Sequence, residues 1–170
     1  MSNLVLANSK NYALGRQGHK VTRICFHRDA VLGATALGEA TYFSNHVLDA
    51  SAGCFIDAQG NWRDSVPVID HSYSTDEWNE DNICYSIEFG GLNGTPLTPA
   101  QISRGIILIK TDPILSKVSL HRLTLAEIPP RIIGGYECHK DITLSYKEPG
   151  MSHVDYISES EIQAIFSGLR

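Results

Sequence analysis

Val21-Thr22-Arg23-Ile24-Cys25-Phe26, running into His27, is the stretch around which the rest of this 170-residue chain is ordered. A short run rich in β-branched and aromatic residues, bounded by polar sequence, reads as a strand. It delivers a histidine at its end. A second such run, Ile83 to Phe89, stops at Gly90-Gly91. Its alternation puts Glu88 on one face with Cys84 and Ser86, and Ile87 and Phe89 on the other.

Between these strands, Ala34 to His46 has the composition of a helix and follows Gly33. Cys54–Asp57 and Trp62–Val66 flank Ala58-Gln59-Gly60-Asn61, a hairpin signal. Residues 68–81, rich in Asp, Ser, Glu and Asn, read as an exposed loop, and the polar residues 1–20 as a surface arm. Thr98-Pro99-Ala100-Gln101 combines a capping Thr, a Pro at the first helical position and a Gln two residues later. That is a capping box, and the apolar run Ile102 to Ile109 follows it as a helix. Pro129-Pro130 precede a short predicted strand, Arg131 to Gly134. Ser158-Glu159-Ser160-Glu161 opens a final helix with one apolar stripe, Ile162, Ile165, Phe166 and Leu169. Alternating strands and helices without repeats predict one α/β domain over 1–170, a central mixed sheet flanked by helices.

A net charge of −5 argues against nucleic-acid binding, which wants a basic face. No apolar run approaches the roughly 20 residues of a membrane-spanning helix. Met1-Ser2-Asn3-Leu4 does not begin a secretory signal, so synthesis in the cytoplasm without a leader is expected. Cys25, Cys54, Cys84 and Cys138 include no C-x-x-C pair, and three of them have apolar neighbours; buried, reduced thiols are expected.

The chemistry-bearing residues gather late. Cys138-His139-Lys140-Asp141-Ile142 is followed by Tyr146-Lys147-Glu148-Pro149-Gly150, a histidine and a carboxylate on one loop that Pro-Gly closes. With His27 they make two histidines and a carboxylate, each at the end of a buried-looking segment. Three such ligands with one open position is the arrangement of a hydrolytic zinc site. Asp141, next to His139, is placed to orient its imidazole.

Across nearly its whole length the chain resembles the zinc-dependent N-acetylmuramoyl-L-alanine amidases, a family that includes phage endolysins and shares a fold with peptidoglycan recognition proteins. The resemblance is carried by Asn11-Tyr12, Gly15-Arg16 and Lys20-Val21 ahead of His27; by Ser51 to Gly60; by Asn82-Ile83-Cys84-Tyr85-Ser86-Ile87-Glu88; by Leu97-Thr98-Pro99-Ala100-Gln101; and by Ile128 to Gly134 with His139-Lys140-Asp141-Ile142. Gly53-Cys54 stands where the family often has a histidine, Glu148 where it has Cys or Asp, and Gly135 where it places the second histidine directly after Gly134. Either an insertion carries that ligand on to His139, or Gly135 has replaced it and the site is inactive. The loop length from His139 to Glu148 favours the insertion.

The resemblance implies a peptidoglycan hydrolase that cleaves the muramoyl-L-alanine amide, with Zn2+ held by His27, His139 and Glu148. Glu88 is then the general base, Lys147 or Tyr146 steadies the oxyanion, and His71 and Tyr73 line the substrate groove. The partner is bacterial peptidoglycan, reached after release from the cell or as part of a phage particle among other virion proteins. The competing reading is a non-catalytic amidase-fold subunit, for example of a phage tail or baseplate.

Overall fold

The computed structural model describes residues 3–129, 133–146 and 157–170. In chain order the elements are β1 (Tyr12–Ala13), β2 (Arg23–Arg28), α1 (Ala36–Asn45), β3 (Cys54–Ile56), β4 (Trp62–Asp64), β5 (His71–Ser72), α2 (Trp78–Asp81), β6 (Cys84–Phe89), α3 (Pro99–Thr111), β7 (Gly135–Cys138), α4 (His139–Tyr146) and α5 (Glu159–Leu169). A five-stranded sheet has the order β4-β3-β6-β2-β7, and β1 pairs separately with β5. β3, β6, β2 and β7 run parallel; β4 returns antiparallel on the edge as the second arm of the expected hairpin.

Side-chain alternation divides the sheet chemically. On one face Ile24, Phe26, Ile87, Phe89 and Tyr136 pack against Ile109 of α3 and Ile162, Ile165 and Phe166 of α5. Fully burying each large apolar side chain contributes about 1.5–3 kcal/mol. Both capping boxes form as the sequence predicts: Thr98 with Gln101, and Ser158 with Glu161. They fix where α3 and α5 begin. The other face is mixed. Cys25 and Cys84 lie under Leu123, Ile128 and Ile142, while Arg23, Ser86 and Glu137 are buried polar residues. All four cysteines are buried and none forms a disulfide. Burial raises the Cys25 thiol well above its ordinary pKa and that of Cys84 to about 11, so both stay protonated and packed as small apolar groups.

Four sequence expectations change. His139–Tyr146, read as part of a loop, is helix α4. The arm lies on the surface, but Ala7, Asn11 and Arg16 are buried. Asn11 donates to the carbonyls of Phe43 and His46, and Arg16 to those of Val68, Asp81, Asn82 and Cys84. The segment therefore ties α1 to the loop before β6. Gly15 turns the chain with φ +68°, and its N–H donates to Asp70. Residues 68–81 hold β5 and α2 and bury Asp70, His71, Thr75, Glu80 and Asp81. The last parallel strand is Gly135–Cys138, beyond the predicted Arg131–Gly134; Arg131 and Ile132 lie outside the described residues.

Candidate functional site

β2 and β7 are aligned in parallel, with Phe26 opposite Cys138. The next residue on each is His27 and His139, so the pairing delivers both imidazoles to the carboxyl end of the sheet. Open α/β sheets bind ligands there. The side chains are buried, and their ring centroids lie 5.0 Å apart at an interplanar angle of 50°. Gly135, the alternative ligand position, pairs with Arg23 four residues upstream of the histidines, about 13 Å along the strand. A Cβ there would meet the His121 carbonyl oxygen. Gly135 is thus a close-packing glycine at the far end of the strand, and His139 is the residue brought to His27.

His139 also begins α4, and Asp141 fixes that turn. Its carboxylate accepts from the Cys138 N–H at 3.0 Å and from Arg122 Nη2 at 2.7 Å. Asp141 therefore holds the helix start, where the sequence reading had it orienting the imidazole.

Glu88 is opposite His27 on one side and Phe55 on the other. It is half-buried, and with His27 and His139 it lines a cavity of about 430 Å³. Tyr73 and Ser51 form the wall on the α1 side. Ser51 Oγ donates to the Asn11 carbonyl at 2.7 Å and accepts from the Tyr73 N–H at 3.1 Å, so the arm also braces this wall. Ser74, another lining residue, donates from Oγ to Asp81 at 2.9 Å and lies 2.5 Å from Ser86 Oγ. Asp29 and Asp76 add carboxylates to the rim. Ser74, Asp29 and Asp76 carry no sequence signal, and Ser51 lies in the family-like stretch without a role assigned to it; the fold assembles them.

Asp81 sits at 3% exposure, and desolvation raises its pKa to about 7 despite hydrogen bonds from Ser74 and Thr75. The folded state therefore keeps a proton that the unfolded chain releases near pH 4, so this group lowers stability as pH rises from about 4 to about 7. Asp81→Asn keeps an oxygen to accept from Ser74 and removes the titration. Melting temperatures at pH 4.5 and 7.5 should fall less between the two values in the variant than in the parent. An equal fall would remove Asp81 as the cause.

Of the expected substrate residues, Tyr73 lines the cavity and His71 does not. His71 is fully buried in β5, edge-on to Trp78 at 4.3 Å and to Tyr73 at 5.4 Å. Burial lowers its pKa to about 4, so it supports the wall as a neutral ring. Tyr146 is also displaced from the expected role. Its hydroxyl donates to Glu80 Oε2 at 3.2 Å, two helical turns beyond His139. Lys147 and Glu148 lie outside the described residues, and among those described no group of three His, Cys, Asp or Glu side chains gathers to hold a metal ion. At Gly53 an added Cβ would strike the Tyr85 ring and the Ser86 carbonyl, while Cys54 is core. Both are packing residues.

No protein-family model and no curated protein matches the sequence. Solved structures do match. The Staphylococcus aureus hydrolase AmiA, solved with its ligand, aligns over 93% of this chain and 77% of its own at 15% identity and TM-score 0.70. A mutant endolysin from Bacillus subtilis covers 100% of both chains at 17% and 0.65. The N-acetylmuramoyl-L-alanine amidase LysC from Clostridium intestinale covers 98% and 96% at 14% and 0.57. The chain has the fold of the N-acetylmuramoyl-L-alanine amidases. Sequence reading and structural likeness agree on this amidase fold, including its mixed sheet and flanking helices.

Proposed function

We propose that the protein is a zinc-dependent N-acetylmuramoyl-L-alanine amidase, phage-encoded, acting on bacterial peptidoglycan. The observation that carries this reading is the His27–His139 pair facing one cavity with Glu88, at the carboxyl edge of an amidase-like sheet. The two imidazoles suit zinc in donor type and spacing. Two rings bound tetrahedrally through bonds of about 2.0–2.1 Å would hold their centroids roughly 5 Å apart. Glu148, two positions after Tyr146 in the sequence, is the proposed third ligand.

When bound, zinc supplies the Lewis acidity that activates water and polarises the amide carbonyl. The protein supplies the rest. Glu88, on the adjoining strand and half-open to the cavity, takes the proton from the attacking water and returns it to the departing L-alanine amine. Lys147 donates toward the developing oxyanion. Tyr73 and Ser51 wall the groove that holds the muramoyl-peptide.

The test is metal analysis of purified protein combined with digestion of purified peptidoglycan. Near-stoichiometric zinc and release of stems with a new L-alanine N-terminus are expected. Protein that binds no zinc and frees no such ends overturns the reading. Zinc without hydrolysis would instead indicate a binding or virion subunit on the same fold.

A further inference from the structure

Beneath the two histidines lies a buried ionic cluster that the proposed chemistry does not use. Arg23, four residues before His27 on β2, is fully buried. Its Nη1 donates to Glu80 Oε1 at 2.6 Å, to Glu137 Oε2 at 3.3 Å and to the Ile128 carbonyl at 3.1 Å. Its Nε and Nη2 donate to the carbonyls of Ile133 and Glu127, each at 3.1 Å. Glu80 Oε2 accepts from the Tyr146 hydroxyl at 3.2 Å. Desolvation, then the neighbouring Glu80 charge, raises Glu137 well above the usual carboxylate range.

The placement of these members is informative. Arg23 shares β2 with His27. Glu137 is two residues before His139 on β7. Tyr146 ends the helix that His139 begins, and Glu80 lies on α2, below the cavity wall formed by Tyr73 and Ser74. Tyr146 stands seven positions after His139. At 3.6 residues per turn they project from the same side of α4, about 20° apart and about 10 Å along its axis. Any rotation of the helix that moves one ring moves the other through the same angle.

The N-terminal end of α4 is held by Asp141 on the Cys138 N–H and on Arg122. Toward its other end the Tyr146 hydroxyl is held by Glu80, which Arg23 holds in turn on the strand of His27.

We infer that Tyr146 and Glu80 are positioning residues that set the rotation of α4, and through it the approach of His139 to His27. This rests on the proposed metal site. Partners behind metal-ligating groups typically change metal affinity by about 10–100-fold when removed. Tyr146→Phe keeps the ring packed near Ile142 and Leu123 and removes only the hydroxyl. Glu80→Gln replaces one accepting oxygen with an NH2 group that accepts nothing.

Competition titration of zinc against a chelator of known affinity separates positioning from stability. Tyr146→Phe is expected to bind zinc about 10–100-fold more weakly than the parent, with the melting temperature lowered by only about 2–4 °C. Glu80→Gln should weaken zinc in the same direction. The cobalt(II)-substituted variants should show altered visible absorption from the changed ligand approach. Parent-like zinc affinity in folded Tyr146→Phe overturns the inference, whatever its melting temperature. If that variant fails to fold, parent-like affinity in Glu80→Gln does the same. A parent that binds no zinc overturns the amidase reading itself; equal binding by parent and variants overturns positioning alone.

Discussion

On the proposed amidase reading, Glu88→Gln should leave the protein folded and zinc-loaded while peptidoglycan hydrolysis falls by about 10²–10⁴-fold, the loss typical of a positioned general base. Glu88 is on the sheet partner of His27 and faces the same cavity, so a water held between them lies within reach of its carboxylate. The amide of Gln has the same shape and still accepts a hydrogen bond, but it takes no proton at neutral pH. Its neighbours along β6, Ile87 and Phe89, are core on the opposite face and do not sense the change. Release of L-alanine N-termini, metal content and melting temperature should be measured on one preparation. Hydrolysis at the parental rate would remove Glu88 from the mechanism. A parallel loss of zinc would make it a ligand or a support of one.

What could be read in the sequence was what local chemistry decides. Thr98 with Gln101 and Ser158 with Glu161 satisfy their own helix ends, so those helices start where the residues say. Arg23–Arg28 and Cys84–Phe89 carry alternation strong enough to show which face Glu88 takes. The misplacement of the last strand has the opposite cause. Ile132-Ile133 looks more strand-like than Gly135-Tyr136-Glu137-Cys138. Yet Gly135 is required where the His121 carbonyl comes close, and Glu137 is tolerated inside because Arg23 reaches it from β2. Neither partner is local in sequence.

The same holds for residues 68–81. A stretch dense in Asp, Ser and Glu looks solvated until Arg16, from more than fifty residues upstream, takes its carbonyls, and Ser74 and Thr75 wrap the Asp81 carboxyl. Four of the eight expected site residues gather at one cavity, two of them at strand ends that the sequence announces. His27 and His139 come together with Glu88 and Tyr73. His71, Tyr146 and Asp141 do not, since each is spent on packing or on a hydrogen bond that sequence spacing cannot reveal. Lys147 and Glu148 fall outside the described residues.

Arg23→Ala should cost about 3–5 kcal/mol of stability near neutral pH, the range expected when one partner of a buried pair is removed. The side chain is fully buried and makes five hydrogen bonds, two of them to carboxylates that are themselves fully buried. Without it, Glu80 and Glu137 face each other with no cation on them in the cluster, and three loop carbonyls lose their donors. The pH dependence separates this cause from simple loss of volume. In the parent, desolvation and the neighbouring Glu80 raise Glu137 while the Arg23 charge lowers it, so without Arg23 the folded-state pKa of Glu137 moves further above the unfolded value of about 4.3. A raised folded pKa means the folded state binds the proton more tightly, and that contribution is lost as pH rises from about 4 upward. The deficit relative to the parent should therefore be smallest near pH 4 and grow toward pH 7. Denaturant unfolding of both proteins at several pH values measures it. A deficit independent of pH would assign the loss to the cavity and the carbonyls instead of the unbalanced charge. A deficit below about 1 kcal/mol at pH 7 would mean that the two glutamates manage without their cation.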